Sequence, residues 1–547
     1  MTTRVSWLVL LAATAFPRIA SADLQVSGTF QYEKRPMKNL TRTGLRCWKA
    51  LEIRPIRFAQ VQVINTATNT VLFDGGTDAN GHFIGVISDV PGPTADIVVR
   101  CFTHVRAGQF GSQVFNVTDA SNVEYSVPSS LYSGWNVQQP LDIGTVTAHG
   151  ITLPSGHMDH PFNSLDNLVW MLSYFESQSG YHPFDPLRVV WPTNNVSNLY
   201  VPNDHTVYLN VFRGGDNDGV QFHEMGHYLH ISYAAGISGS WVGIHDLMDS
   251  NQDPRLSFME GVATLFTGLI RDFRGDFDPG YYVVCNPTAT GASEMGYRFE
   301  DGYGVYPVGG AGSEAAVTCA LWDMSDTFVS PDGNSVDDDP VDGSFLFQGL
   351  LTGEQLMWNA LLQVFPTLPP TGQVFESLWN ACFVPIDWDH QPELSGAFDA
   401  WQMPMHNDSA EPDNSAATGT PLSFGVWSPV HTLYYAIGAP GAPGNGDSDF
   451  FRFSPTVGLS NSITTSYPNN DCYSVFTDVD PYVIVKDPLG AIVGQTDSGG
   501  SCGNSGNGEP DRNAGVTFVP VTAGTYTVEV KSASPYRRTG AYQILWH

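Results

Sequence analysis

The chain has 547 residues, too many for one hydrophobic core, and a length of this size points to about three domains. Its 42% hydrophobic and 12% aromatic content excludes a disordered chain, and its 55 glycines and 37 prolines point to turn-rich β structure. A net charge of −31 argues against nucleic acid and anionic membrane surfaces as partners. The surplus carboxylates read either as plain surface solubility or as ligands for structural Ca²⁺.

Residues 1–22 read as a secretory signal peptide. Arg4 supplies the positive start, Trp7 to Ala15 is an apolar run too short for a stable anchor, and Ala20-Ser21-Ala22 fits a small-residue cleavage site. Arg18 is unusual so close to that site. No other stretch is long and apolar enough to span a bilayer, so the chain is expected to be secreted, without a membrane anchor, and monomeric. Export permits oxidation of the cysteines Cys47, Cys101, Cys285, Cys319, Cys382, Cys472 and Cys502, none at C-x-x-C spacing. Cys47–Cys101 and Cys472–Cys502 are the candidate disulfides, because each pair lies within one apparent domain, and one of the middle three stays free.

Residues 23–150 have strand character. Gln60 to Val63 alternates, Val71-Leu72-Phe73 follows, and Asn80-Gly81 is a hairpin turn signal before Phe83. The stretch from Arg54 to Phe83 resembles the transthyretin-like or carboxypeptidase-regulatory-like β-sandwich found beside many secreted peptidases.

Residues 155–402 carry helical periods. Leu165, Leu168, Val169, Leu172 and Phe175 share one face of a helix over Asn163 to Gln178. Thr206 to Phe212 is a strand, and a glycine- and aspartate-rich loop follows it. Asp218 then reads as an N-cap, with Gln221 completing a capping box. The helix so begun contains His223-Glu224-Met225-Gly226-His227, an H-E-x-x-H motif. Two imidazoles four positions apart differ by about 400° of rotation and so point within about 40° of each other, able to share one Zn²⁺. Glu224, on the adjacent edge, is placed to take a proton from a water at the metal and return it to a leaving group.

A catalytic zinc needs a third protein ligand. A metzincin would place a glycine and a histidine where this chain has His230 and Tyr233, so that pattern is set aside. Glu260 lies in Leu256 to Phe266, an apolar helical stretch opened by Pro254, and a carboxylate there is costly to bury without a partner. Asp246 and Asp249 are rival third ligands. An H-E-x-x-H helix followed by a glutamate-bearing helix with Glu260-Gly261-Val262-Ala263-Thr264-Leu265-Phe266 resembles the gluzincin plan of thermolysin-like peptidases. The resemblance covers residues 200–330 and implies His223, His227 and Glu260 as zinc ligands and Glu224 as general base. The thermolysin form of the second motif, with its asparagine and aspartate partners, is not present.

The resemblance also implies a group that stabilises the oxyanion, for which Tyr297, Tyr303, Tyr306 and His245 are candidates. By the same resemblance the strand Thr206 to Phe212 is either an edge that pairs with extended substrate or a plain core strand. Ser313 to Asp326 reads as a buried helix. Asp323 in it is either an outer partner of His223 or His227 or a plain helix-end carboxylate, and His230 reads as a helix-surface or outer-shell histidine more readily than as a metal ligand. Asp332 to Asp339 is either an acidic solvated loop or a Ca²⁺ site.

Residues 403–425 read as a linker, polar and proline-containing around Glu411-Pro412-Asp413. In 426–547, the strands Asp449 to Phe453, Tyr482 to Val485 and Gly524 to Val530, with the Asp487-Pro488-Leu489-Gly490 turn, resemble the bacterial pre-peptidase C-terminal domain, a small β-sandwich. The expected architecture is therefore multidomain: an α+β zincin-like (gluzincin) catalytic domain flanked by two β-sandwich domains. The expected activity is that of a secreted zinc metallopeptidase acting on protein or peptide. An exported binding or adhesion module with a vestigial metal site, and a zinc hydrolase of non-peptide bonds, are the alternatives.

Overall fold

The computed structural model describes residues 23–36, 51–150 except 89 and 91, 158–194, 197–211, 215–233, 245, 247, 252–276, 279–285, 293–299, 310, 312–325, 415–433, 448–466, 481–497, 514–532 and 540–547. It also describes the single residues 355, 358, 361, 378, 398, 401, 403 and 413. Residues 1–22, Asp246, Asp249, Tyr303, Tyr306, the 332–339 loop, Cys47, Cys382, Cys472 and Cys502 lie outside these residues. Among them the molecule is strand-rich, with several sheets and four α-helices: α1 (Asp159–Ser179), α2 (Asp218–Tyr233), α3 (Pro254–Phe273) and α4 (Glu314–Trp322). Buried apolar side chains form two separate clusters. One runs from Leu24 to Met403 and the other from Leu422 to Ile544.

The first cluster is built on two sheets. Strand Leu24–Lys34 is the middle of one. It pairs in parallel with Leu141–Ala148 and antiparallel with Glu52–Pro55 and His82–Ile87. Its side chains alternate, so Leu24, Val26, Phe30 and Tyr32 face the core. The same period carries Lys34 inward at the strand's end, where it is 2% exposed.

The second sheet has nine strands. Its path runs Leu199–Val201, Thr206–Asn210, Leu187–Thr193, Phe115–Thr118, Thr94–Val105, Ala59–Asn65 and Thr70–Gly76. The parallel pairing of Phe115–Thr118 with Leu187–Thr193 carries this sheet from the N-terminal strands into the segment that leads to the H-E-x-x-H helix. Thr206–Asn210 is an interior strand, held in parallel by Leu187–Thr193 and antiparallel by Leu199–Val201. The edge beside α2 is therefore Leu199–Val201, too short to have shown a period in the sequence, and not the strand from Thr206.

The Asn80-Gly81 turn forms, with Gly81 at φ 74° and the main-chain N–H groups of Asn80 and His82 donating to Asp78 Oδ1. It does not close a hairpin. The strand before it pairs with Ala59–Asn65 and the strand after it with Leu24–Lys34, so the turn hands the chain from one sheet to the other. Cys101 is a free thiol sealed in Thr94–Val105, where the strand's alternation turns it into the core, and not half of a disulfide with Cys47.

The start of α2 differs from expectation by one residue. Asn217 accepts the N–H of Val220 on its side chain, and the amide of Gln221 goes to Gly215 O. Asp218 is turned inward instead. Lys34 Nζ donates to both of its carboxylate oxygens at 2.7 Å, Arg274 at the end of α3 approaches Oδ2 at 2.9 Å, and Asn167 of α1 donates to Oδ1 at 2.9 Å. Lys34 also donates to Asn163 of α1. Alongside, Tyr32 and Arg57 both bond Asp166 of α1, and Arg57 lies 4.0 Å over the Trp170 ring. α1 is thus clamped to the N-terminal strands by charge as well as by its apolar face.

The second cluster lies between a five-stranded sheet around Ser448–Phe453, Tyr526–Ser532 and Pro481–Lys486 and a four-stranded sheet around Gly540–Trp546 and Asn461–Ser466. The Asp487 turn forms as its residues predict. Asp487 Oδ1 accepts the N–H groups of Leu489 and Ala491, and Gly490 takes φ 84°.

Burial alone would raise the Asp218 carboxyl, but the charges of Lys34 and Arg274 overturn that and hold it well below the usual carboxylate range. Its contribution is therefore in place above the unfolded value of about 4 and drains as pH falls toward the folded one. Guanidinium unfolding from pH 6 to pH 3 is expected to show this loss, with a flatter profile in Asp218→Asn. Lys34→Met leaves a buried carboxylate short of one partner and is expected to cost about 3–5 kcal/mol at neutral pH. An unchanged unfolding midpoint would contradict the role given to this ion pair.

Candidate metal centre

α2 and α3 cross at very close range. A Cβ built on Gly226, inside the H-E-x-x-H motif, would lie 2.6 Å from the carbonyl oxygen and 2.9 Å from the Cα of Ala263. Only glycine lets the α3 backbone come so near. Asp253 caps α3 by accepting the N–H of Arg255 at 3.0 Å, and Pro254 opens the first turn as the sequence indicates.

The crossing brings Glu260 onto the two histidines. Glu260 Oε2 lies 3.1 Å from His223 Nε2 and 3.2 Å from His227 Nε2. One donor atom from each of His223, His227 and Glu260 falls within 4.8 Å of the others. Atoms bound about 2.0–2.1 Å from a tetrahedral zinc stand roughly 3.3 Å apart, so the donor set and its spacing fit that ion. All three side chains are nearly buried. Burial pushes His223 down to about 4. Burial opposes charge on His227 and Glu260 as well, but each holds the other ionised: His227 is raised, and Glu260 sits well below the carboxylate range.

Glu224 lies beside this group and not within it. Burial lifts its carboxyl to about 7, close to what a proton carrier at neutral pH needs. The main chain at Tyr200, in the edge strand Leu199–Val201, acts the other way and favours its ionised form.

His245 stands at the mouth, with its side chain 43% exposed. Its Nδ1 meets Glu314 Oε2 at 2.9 Å and its Nε2 lies 3.7 Å from Glu260 Oε2. Burial works against its charge, yet the bond to Glu314 and the charge of Glu260 raise it to about 9. Glu314 is presented by the first turn of α4, which Ser313 caps through the N–H of Ala316. Gly261 on α3 makes room for α4, since a Cβ there would meet Val317 Cγ1 at 2.4 Å.

The other sequence candidates go elsewhere. Tyr297 is fully buried and donates to Thr318 Oγ1 at 2.9 Å, which removes it from the mouth. Asp323 accepts the Trp401 indole N–H at 2.5 Å. His230 is sealed and not at the helix surface, 5.8 Å from the Phe258 ring, and burial holds it neutral by pushing it down to about 3. His160, which the sequence did not single out, pairs with Asp216 at 3.1 Å and ties the start of α1 to the approach of α2. The residues that sequence reasoning missed are Thr264, Glu314, Tyr200 and Gly226. For Thr264 a signal existed, since it lies one helical turn from Glu260 on the same face.

No family model and no curated relative matches the chain. Among solved structures, the pre-peptidase C-terminal domain of a collagenase from Bacillus anthracis aligns with 24% of this chain and 94% of its own, at 11% identity and a TM-score of 0.15. PliG from Aeromonas hydrophila, a periplasmic inhibitor of g-type lysozyme, aligns with 24% of this chain and 96% of its own, at 13% identity and a TM-score of 0.14. CorA, a surface-associated copper-binding protein important in copper acquisition by Methylomicrobium album BG8, aligns with the same two shares at 12% identity and a TM-score of 0.16. Likenesses this low carry no argument about activity.

Gly226→Ala is expected to push α3 away from α2, lowering stability by about 1–3 kcal/mol through overpacking and separating Glu260 from the histidines. Calorimetry together with metal analysis checks this. A variant as stable and as metal-rich as wild type would refute the tight crossing.

Proposed function

We propose that this chain is an exported zinc-dependent peptidase of gluzincin type, with a zincin-like catalytic region and a pre-peptidase-like C-terminal β domain. The observation that carries the proposal is the convergence of His223, His227 and Glu260 from two helices beside a buried carboxylate, Glu224, that is not itself one of the donors. His223, His227 and Glu260 would hold the metal. Bound there, zinc supplies Lewis-acid polarisation of a carbonyl and a lowered pKa for water.

The chain's own groups divide the remaining work. Glu224 takes the proton of the attacking water and returns it to the leaving amine. His245, braced by Glu314, offers a donor to the negative charge that grows on the carbonyl oxygen. Support for peptide as the substrate comes from Leu199–Val201. Among the described residues this strand ends the nine-stranded sheet, so its outer side can take an extended main chain.

Purified protein is expected to carry about one zinc per chain and to lose it in His227→Ala, with casein hydrolysis abolished by chelator. Glu224→Gln should keep the metal and lose turnover by about 10²–10⁴-fold. Hydrolysis by that variant at the wild-type rate would sink the mechanism. Zinc retention with no cleavage of a peptide library would favour a non-peptide hydrolase or a binding module. His245→Ala is expected to lower kcat by about 10²-fold with little change in KM, read by steady-state kinetics on a defined peptide. A change confined to KM would assign His245 to substrate binding instead.

A further inference from the structure

Thr264 stands one helical turn beyond Glu260 on α3 and is 2% exposed. Its Oγ1 lies 2.9 Å from Nδ1 of His223, while Nε2 of the same ring lies 3.1 Å from Glu260 Oε2. α3 therefore touches both nitrogens of one imidazole, with a carboxylate on one side and a hydroxyl on the other. A neutral imidazole carries one N–H, and a ring that gives its Nε2 lone pair to a cation must carry that hydrogen on Nδ1. The Thr264 oxygen is where that hydrogen has to go.

The close approach at Gly226 makes this arrangement reachable. Ala263 is the residue that abuts Gly226, and Thr264 follows it directly. The contact that brings Glu260 to the ligand atoms thus brings Thr264 behind the first ligand ring. Thr264 is buried on the far side of the ring from Nε2 and acts through His223.

We propose that Thr264 is a positioning residue: its hydroxyl holds the His223 ring in the orientation that presents Nε2 to the metal. This rests on the metal reading above. It predicts a dependence on the hydroxyl that packing alone would not produce. Thr264→Val keeps the shape and removes the oxygen, whereas Thr264→Ser keeps the oxygen and removes a methyl group.

The test is the zinc dissociation constant, measured on the full chain by competition with a chromogenic chelator. Thr264→Val is expected to weaken zinc by about 10–100-fold, and Thr264→Ser to stay within about 3-fold of wild type. Thermal unfolding of the chelator-treated proteins separates this from general damage. Should Thr264→Val fail to fold, Thr264→Ala removes the same hydroxyl without adding volume and reads the same constant. Wild-type affinity in the hydroxyl-free variant overturns the proposal, as does a Ser variant as weak as the Val one. A wild-type chain that takes up no zinc overturns the metal reading itself, a different result from either of these.

Discussion

The molecule depends on how one buried carboxylate is neutralised. Asp218 sits at the first turn of α2, one helical turn and a half before the first candidate ligand, with almost no access to water. Water cannot stabilise it there, so the protein must. Lys34 comes from the end of an N-terminal strand, Asn163 and Asn167 from α1, and Arg274 from the end of α3. Four segments distant in sequence are pinned to one point. An ion pair so deep is weak evidence of net stability, but losing one member leaves the other charged and stranded. The cluster therefore fixes which arrangement of α1, α2 and α3 the chain can tolerate.

The same cluster explains why the N-terminal strands belong to the candidate site. A nine-stranded sheet runs without a break from Thr70–Gly76 to the edge strand beside Glu224. One apolar cluster underlies both that sheet and the helices. Strand Leu24–Lys34 delivers a cation to α2, and Tyr32 and Arg57 deliver three hydrogen bonds to Asp166 of α1. The β structure before residue 150 thus acts as the wall against which the H-E-x-x-H helix is set.

Around the candidate centre, small residues do what charged ones do at its base. Gly226 admits the α3 backbone, and Gly261 admits α4. The first crossing sets Glu260 and Thr264 against His223 and His227. The second sets Glu314 against His245. The donors stay close because the helices have no room to slide, a rigidity that a metal site and a general base both need.

What the sequence by itself determined was local. The spacing of His223 and His227 follows from the helical period, Pro254 marks a helix start through its fixed φ, and the alternation from Gln60 to Val63 turns Val61 and Val63 into the core. Each of these rules operates within a few residues. It also pointed to Glu260, because a lone carboxylate on an apolar helix face needs a partner. Tertiary structure decided what depends on meetings between distant segments. It moved the cap from Asp218 to Asn217, because Lys34 and Arg274 claim the Asp218 carboxylate. It made Leu199–Val201 the edge strand, and it turned Asn80-Gly81 into a passage between sheets. It left His245 at the mouth while sealing Tyr297 and His230. No period or spacing records such meetings, since burial, charge and close approach arise only when the chain has folded.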